Sequence, residues 1–252
     1  MTGTASIPGT HRQGGLADQT VVVIGASSGM GLETARRVRA DGGRLVMVGR
    51  DPERLARAAR ELEPLSTAAF DANDTDRLQR FFQELPGPVD HVLVTAGGPS
   101  YAPLESLDLA EVRRDFGDHL AMILAVAVFS RAKTRAGGTL LFIGGTGGRR
   151  PAVGMSVVSA MTAALPALTA NLALELAPIR VNLIAAGFVD TALSASLLGD
   201  QLDARREELR ATLPIRRVVG PADVAALAVH IMVNDALTGA TYDIDGGQQL
   251  VS

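Results

Sequence analysis

The stretch from Val21 to Gly31, VVVIGASSGMG, constrains the fold of this chain more than any other. Its Val/Ile-rich start predicts a buried β-strand, and the apolar spacing from Leu32 to Ala40 predicts a helix directly after the glycines. Backbone N–H groups and the positive end of the helix dipole then face any anion at the turn. Glycine, which has no Cβ, lets a pyrophosphate approach the backbone closely. The segment predicts a phosphate-binding turn, although G-x-x-x-G-x-G spacing alone also fits an ordinary turn.

Length and composition restrict the class of protein. A chain of 252 residues can bury one large core, and a hydrophobic content of 47% with few aromatic residues fits a sheet covered by helices. The net charge of -3 disfavours nucleic acid and anionic membranes as partners. The absence of cysteine excludes disulfides and thiolate catalysis, and the histidines show no metal-ligand spacing. No apolar run is long enough to cross a bilayer and no signal-peptide pattern opens the chain, so we predict a cytoplasmic protein.

Strand and helix patterns alternate along the chain, which predicts a mainly parallel sheet with helices on both faces. Residues 1–16 lack periodicity and are predicted to be a flexible tail, followed by a single domain over 17–252. The polar helical stretch 193–213 is predicted to be a flap over the carboxyl edge of the sheet, where α/β sheets bind ligands. Strands are predicted near 21–25, 44–48, 67–70, 89–95, 139–143, 180–185 and 240–244, and helices near 30–40, 52–63, 75–84, 109–135, 155–177 and 221–233.

Six motifs, in order along the chain, resemble those of the short-chain dehydrogenase/reductase family. They are GASSGMG at 25–31, FDAND at 70–74, VTAGG at 94–98, LALELAPIRVNLIAAGFVDT at 172–191, PIRRVVGPADVA at 214–225 and DIDGG at 243–247. The resemblance covers Asp18 to Ser252 and implies an α/β, Rossmann-type, doubly wound fold with a seven-stranded, mostly parallel sheet. It also implies a homodimer or homotetramer, which agrees with two long helical stretches that are apolar nearly all round.

The resemblance implies a dinucleotide cofactor. Arg50 follows the second strand, at the place where a carboxylate would accept hydrogen bonds from the ribose of NAD. The guanidinium of Arg50 instead favours the 2′-phosphate of NADP. The alternative is that Arg50 is an ordinary surface arginine. Asp71 would lie beside the adenine, or only cap a turn or helix. Val189 and Thr191 would contact the carboxamide. The cofactor positions that the resemblance assigns are Gly25, Ser27, Ser28, Gly29, Met30, Gly31, Arg50, Asp71, Ala72, Ala96, Gly97, Gly187, Val189 and Thr191.

The positions of the family's catalytic residues carry other side chains in this chain. The family uses a Tyr, a Lys, a Ser and an Asn, and the register places at those positions, in that order, Val158, Thr162, Gly145 and His119. Realignment does not restore them, because Lys133 is the only lysine and Tyr242 is the only tyrosine after it. A positioned general acid contributes about 10²–10⁴-fold in rate, and such sets act as a unit. We therefore predict an NADP(H)-binding protein with a degenerate catalytic site, acting as a sensor, scaffold or partner subunit.

Other hypotheses stay open. An enzyme of altered mechanism, either an NADP(H)-dependent oxidoreductase or a non-redox lyase or isomerase, would use His119 or Tyr101 as its acid. His119 could instead only bond a neighbouring carbonyl, and Tyr101 could be a lid or packing residue. Arg149 and Arg150 could attract an anionic substrate or be solvated surface. A third hypothesis is that the pocket has lost the cofactor and binds another, unknown small molecule.

Overall fold

The computed structural model describes residues 15–99 and 101–251, and it contains a seven-stranded sheet. The strands are β1 (Thr20–Ile24), β2 (Arg44–Gly49), β3 (Ser66–Ala69), β4 (Val89–Val94), β5 (Thr134–Gly145), β6 (Arg180–Ala186) and β7 (Thr241–Ile244). Their order is β3-β2-β1-β4-β5-β6-β7, and every pair of neighbours is parallel. The order reverses between β1 and β4, and the carboxyl ends of the strands at such a reversal border a crevice that binds ligands in open α/β sheets.

Helices connect the strands. They are α1 (Gly29–Ala40), α2 (Pro52–Leu62), α3 (Thr75–Glu84), α4 (Leu109–Ser130), α5 (Ser156–Glu175), α6 (Ala192–Leu198), α7 (Leu202–Thr212) and α8 (Pro221–Val233). Strands and helices alternate as the sequence predicts, and the doubly wound α/β fold is confirmed, with a sheet that is parallel throughout.

Two hydrophobic cores cover the two faces of the sheet. Side chains alternate along a strand, so Val21 and Val23 of β1 belong to the core that α1, α2 and α8 complete. Val22 and Ile24 belong to the opposite core, which α3, α4 and α5 complete. All four are essentially inaccessible to solvent. This burial on both faces explains why β1 reads as one continuous apolar run.

Two predicted boundaries are wrong. The predicted tail includes Leu16, yet this side chain is fully buried with Val21 in the core, so the ordered domain begins before residue 17; residues 1–14 lie outside the described part. The helix predicted to run to residue 135 ends at Ser130. The carbonyl of Lys133 already accepts a hydrogen bond from Val89 N at 2.8 Å, which draws the chain into the sheet.

The predicted flap, 193–213, consists of α6 and α7 with a short 3₁₀ turn between them. A bridge between Val189 and Val219 closes the segment that contains both helices. Contrary to the expectation that no apolar run is long enough, one helix, α5, could cross a membrane by length and composition alone. It packs against β5 and β6 with Leu165 and Leu172 buried, and this contact accounts for the apolar side chains on the face of α5 that meets the sheet.

Candidate functional site

The glycine turn between β1 and α1 is packed too tightly for any side chain at two of its positions. Gly25 has a φ of +98°, and a Cβ there would collide with the hydroxyl of Thr95. A Cβ on Gly31 would collide with the carbonyl of Gly25 and with the same hydroxyl. Thr95 lies directly after β4 and donates towards the carbonyls of Ile24 and Gly25, at 3.3 and 3.2 Å. The sequence places Thr95 only within the VTAGG motif, whereas the structure shows that its hydroxyl holds the turn.

The N-terminus of α1 has no side-chain cap. Ser28 occupies the N-cap position with extended backbone angles, and its side chain accepts no hydrogen bond from the helix. By contrast, Asp51, Asp74 and Asp108 cap α2, α3 and α4 through their carboxylates. The first N–H groups of α1 therefore face the crevice without a side-chain acceptor, in the arrangement that binds a phosphate.

The end of β2 and the loop after β3 come together at the other side of the turn. The side chain of Arg50 is 82% exposed. Its guanidinium lies 3.9 Å from a carboxylate oxygen of Asp71, which is beyond hydrogen-bond distance. Asp71 also accepts a hydrogen bond from Asn73 N at 3.0 Å, so the predicted turn cap is present. Ala72 is buried in the core, and its side chain packs there. Arg50 is left with a weak, solvated ion pair and stays available to an anion.

The segment after β6 closes over the glycine turn. Thr191 and Ser194 form a capping box at the start of α6: the Thr191 hydroxyl accepts from Ser194 N at 3.3 Å, and Ser194 Oγ accepts from Thr191 N at 2.7 Å. A Cβ on Gly29 would lie 3.7 Å from Thr191 Cβ, which places this segment beside the turn. Gln248 was missed from the sequence; its side-chain oxygen accepts from Phe188 N at 2.8 Å and fixes the loop, and its nearest sequence signal is the DIDGG motif just before it.

A cavity of about 790 Å³ lies between this segment, the carboxyl ends of β4 and β5, and α5. Its wall brings together all four positions that the resemblance assigns to catalysis, namely His119, Gly145, Val158 and Thr162. It also includes Met30, Ala96, Gly97, Gly187, Val189 and Thr191 from the predicted cofactor set. The described wall contains one tyrosine, Tyr101, no lysine and no acidic residue.

The space beside Gly145 is occupied. A Cβ on Gly145 would lie 3.3 Å from the methyl carbon of Thr162. The Thr162 hydroxyl is turned to its own helix, where it donates towards the carbonyls of Val158 and Ser159 at 2.8 and 3.2 Å. These positions therefore present an apolar surface to the cavity.

Two side chains in the wall could exchange protons. His119 is half-buried, its imidazole forms no hydrogen bond with any residue that the structure describes, and its Nδ1 lies 3.1 Å from where a Cβ on Gly97 would be. The alternative of a histidine bonded to a neighbouring carbonyl is thus not what the described residues show. Burial lowers the pKa of His119, which keeps the imidazole neutral at pH 7. Burial raises the pKa of Tyr101, which keeps its hydroxyl protonated at the rim of the cavity.

The lysine and the second tyrosine lie elsewhere. Lys133 precedes β5 and donates from Nζ to the carbonyls of Gln83 and Leu85 at 3.1 and 2.7 Å. In the sheet Thr134 lies beside Val89 and Phe142 lies beside Val94, so Lys133 is separated from the cavity by roughly 20 Å, at about 3.3 Å per residue of β4. Tyr242 pairs with Ile184 inside the sheet and packs against the core on the side of α1 and α8.

The two loop arginines after β5 have different environments. Arg149 forms a bidentate ion pair with Asp243, with N–O distances of 2.7 and 2.5 Å. Arg150 is half-buried, lines the cavity, and its guanidinium has no hydrogen bond or salt bridge with any described residue. The alternative of solvated surface therefore fits Arg149, which is exposed and paired, and does not fit Arg150.

Comparison with known proteins agrees with this geometry. The family model described as enoyl-(acyl carrier protein) reductase matches residues 25–249. Dehydrogenase/reductase SDR family member 4 from Sus scrofa is 31% identical over 255 residues, which cover 95% of this chain and 90% of the relative.

Solved structures share the fold. The MalC reductase/Diels-Alderase from Malbranchea aurantiaca superposes with a TM-score of 0.87 at 23% identity, covering 93% of this chain and 98% of that one. A short-chain dehydrogenase from Burkholderia cenocepacia J2315, solved with NADP, has a TM-score of 0.82 at 26% identity and covers 92% of this chain and 98% of its own. From its fold, its glycine turn and these relatives, the chain belongs to the short-chain dehydrogenase/reductase family of NAD(P)-dependent oxidoreductases.

Proposed function

We propose that this protein binds NADP(H) in the crevice and lacks the conventional alcohol–carbonyl chemistry of its family, acting as a sensor, scaffold or partner subunit. One observation carries the proposal. The only lysine of the chain, Lys133, lies at the amino ends of the strands, whereas the cavity lies at their carboxyl ends. The wall positions that correspond to the catalytic set are His119, Gly145, Val158 and Thr162.

The residues of the crevice fit a dinucleotide. The uncapped N-terminus of α1, with Ser28 exposed beside it, suits a pyrophosphate, and the collisions that a Cβ on Gly25 or Gly31 would cause keep this backbone bare. Arg50 suits a 2′-phosphate, and solved relatives hold NADPH and NADP. When bound, NADP(H) supplies or accepts a hydride.

The walls give a reacting carbonyl little assistance. At Gly145 and Val158 no hydroxyl can orient or protonate an oxygen, and the Thr162 hydroxyl is engaged by its own helix. Members of a catalytic set act as a unit, so we expect only the residual rate that proximity allows.

A second candidate is an enzyme of altered mechanism. It is favoured by the uncommitted His119 in the wall, whose neutral imidazole can accept a proton, and by the protonated Tyr101 at the rim, which can donate one. Such a pair suits a proton shift or an elimination as well as a reduction.

Titration of NADPH and NADH into the purified protein tests the cofactor proposal. We expect NADPH to bind in the micromolar range and NADH much more weakly. Arg50→Ala should weaken NADPH by about 10–100-fold, the value of one or two charge-assisted hydrogen bonds, and leave NADH unchanged. Arg57→Ala, on the exposed side of α2, is the control. Failure of both dinucleotides to bind would contradict the proposal and favour a pocket for another ligand.

Turnover separates the two candidates. A conventional enzyme would reduce carbonyl substrates at about 1 s⁻¹ or faster, which would contradict a degenerate site. If a slower reaction is found, its loss in His119→Ala and Tyr101→Phe would support the altered mechanism, and unchanged rates in both would exclude it.

A homodimer or homotetramer is part of the proposal. Apolar side chains on α4 and α5 are exposed, namely Leu124, Val128 and Leu174. A second subunit would cover them, and sedimentation of the purified protein measures the assembly directly. A cytoplasmic location stays a prediction.

A further inference from the structure

The charged side chains of the cavity wall are all positive among the described residues. Two arginines, Arg150 and Arg205, line the cavity, and none of its described lining residues is acidic. Arg205 pairs with Glu208 at 2.7 Å, which leaves its charge largely balanced. Arg150 is half-buried with no carboxylate within reach among the described residues. An unpaired guanidinium in a mostly apolar cavity is costly unless a ligand supplies the opposite charge.

The position of Arg150 separates it from the phosphates of a dinucleotide. Those belong to the turn after β1, whereas Arg150 follows β5, two strands away in the sheet, or about 10 Å at about 4.8 Å per strand. The loop of Arg150 instead meets the loop of Tyr101, where Ala102 N donates to Gly154 O at 3.2 Å. Tyr101 and Arg150 both line the cavity, so these two loops border it together.

The rest of the wall defines the body of the ligand. Met155, Val158, Met161, Leu165 and Phe188 give it an apolar surface. A single unpaired guanidinium balances one negative charge, and its planar fork matches a carboxylate in two parallel hydrogen bonds. A dianion such as a phosphate ester would leave one charge unbalanced among these side chains.

We propose that the cavity takes an organic monocarboxylate with an apolar body, and that Arg150 binds its carboxylate. This inference rests on the proposed function, because it names the ligand class of the same crevice. It holds equally for a sensor that reads the acid and for an enzyme that acts on it.

Calorimetric titration with two matched probes, 4-phenylbutanoate and 4-phenylbutanamide, tests the inference in the presence and absence of NADPH. The probes share shape and differ in charge. We expect the acid to bind wild-type protein about 10-fold or more tightly than the amide, as one charge-assisted bidentate contact allows. In Arg150→Gln this preference should disappear. Arg149→Gln removes the same charge one residue away, on a side chain engaged by Asp243, and should keep the preference.

Several outcomes would overturn the inference. The first is equal affinity of wild-type protein for acid and amide, and the second is a loss of the preference for the acid in Arg149→Gln as large as in Arg150→Gln. The others are displacement of the acid by an equal concentration of inorganic phosphate, and no binding of either probe at about 10 mM. A fall in NADPH affinity in Arg150→Gln as large as that for the acid would instead assign Arg150 to the cofactor. NADPH binding is measured separately in the same titrations, so failure of the cofactor proposal remains distinguishable from failure of this one.

Discussion

The guanidinium of Arg206 donates to both carboxylate oxygens of Asp190, at 2.9 Å from Nε and 2.8 Å from Nη2. Asp190 lies between Val189 and Thr191, both in the cavity wall, and Arg206 lies on α7. Arg206 also donates to Asp203 of its own helix at 2.9 Å. The pair therefore ties the flap of α6 and α7 to the segment that would hold the nicotinamide end of a cofactor.

Arg206→Gln should loosen the flap without unfolding the protein, because the pair is half-buried at the surface and contributes only a small part of global stability. We expect faster amide hydrogen exchange in residues 192–212 and about 3–10-fold weaker NADPH binding through a faster off-rate. Arg210→Gln removes the same charge from an exposed position of α7 and should change neither. Exchange in the flap that matches wild type would show that the ion pair does not hold it.

Gly31→Ala should disrupt the turn that the proposed function requires. The new methyl would meet the carbonyl of Gly25 and the hydroxyl of Thr95, and backbone cannot move aside as a flexible side chain can. We expect about 100-fold or greater loss of NADPH affinity, with a fall of about 1–3 kcal/mol in the free energy of unfolding.

Gly117→Ala is the matched control, because a Cβ there meets nothing within 4 Å and the position lies in α4. It should raise the free energy of unfolding by about 0.5–1 kcal/mol and leave NADPH affinity unchanged. If Gly31→Ala bound NADPH as wild type does, the turn would not be the cofactor site.

The fold was predictable because β1 and the helix after it combine a buried apolar run, glycines and a 3.6-residue pattern, and all three depend on local sequence. The burial of Leu16 was not predicted because a single apolar residue among polar ones forms no periodic pattern, although it packs in the core. The end of α4 was missed because Thr134 to Gly138 carries no strand alternation, and long-range pairing with β4 decides it. Side-chain partners such as Asp190–Arg206, 16 residues apart, depend on the folded arrangement of loops that sequence patterns do not specify.

Arg180 holds the end of α8. Its guanidinium donates to the carbonyls of Ile231 and Met232, at 2.8 and 2.7 Å, and of Asn234 and Leu237, at 3.0 and 3.1 Å. The carbonyls of Ile231 and Met232 lie in the last turn of α8, which cannot satisfy them itself, and those of Asn234 and Leu237 follow the helix.

Arg180→Met should therefore lower the free energy of unfolding by about 2–4 kcal/mol, because buried carbonyls lose a charged donor. Chemical denaturation measures the change, with Arg80→Gln on the exposed face of α3 as control. A loss as small as that of the control would mean that water replaces the guanidinium without cost.

His119 should make stability depend on pH. Burial lowers its pKa in the folded protein below the unfolded value of about 6.5. At pH values between the folded pKa and about 6.5, the unfolded chain therefore binds more protons than the folded protein. The stability that the neutral imidazole contributes is fully present above about pH 6.5 and is lost as the pH falls towards the folded pKa. We expect the free energy of unfolding to fall less between pH 7.5 and 5.5 in His119→Gln than in wild type, measured by denaturant titration. Identical falls would show that His119 has the same pKa in both states.

Restoring three of the four members of the family's catalytic set, with His119 left in place, should create activity if the site is degenerate as proposed. In the triple variant Gly145→Ser, Val158→Tyr, Thr162→Lys, the methyl contact of Thr162 with position 145 disappears, and the cavity of about 790 Å³ leaves room for larger side chains. With NADPH and a panel of aromatic and aliphatic ketones, we expect carbonyl reduction to rise by about 10²-fold or more over wild type. Each single variant should stay near wild type, because the set acts as a unit.

The same triple variant with Phe in place of Tyr at position 158 is the matched control, since it keeps the shape and removes the acid. Its reduction rate should remain at the wild-type level, and NADPH titration together with circular dichroism establishes that both triple variants fold and bind. A folded, NADPH-binding triple variant with no gain would place the deficit in the cavity's shape rather than in the missing acid. Equal gains with Tyr and Phe would show that position 158 supplies no proton, and would contradict the role assigned to it by the family resemblance.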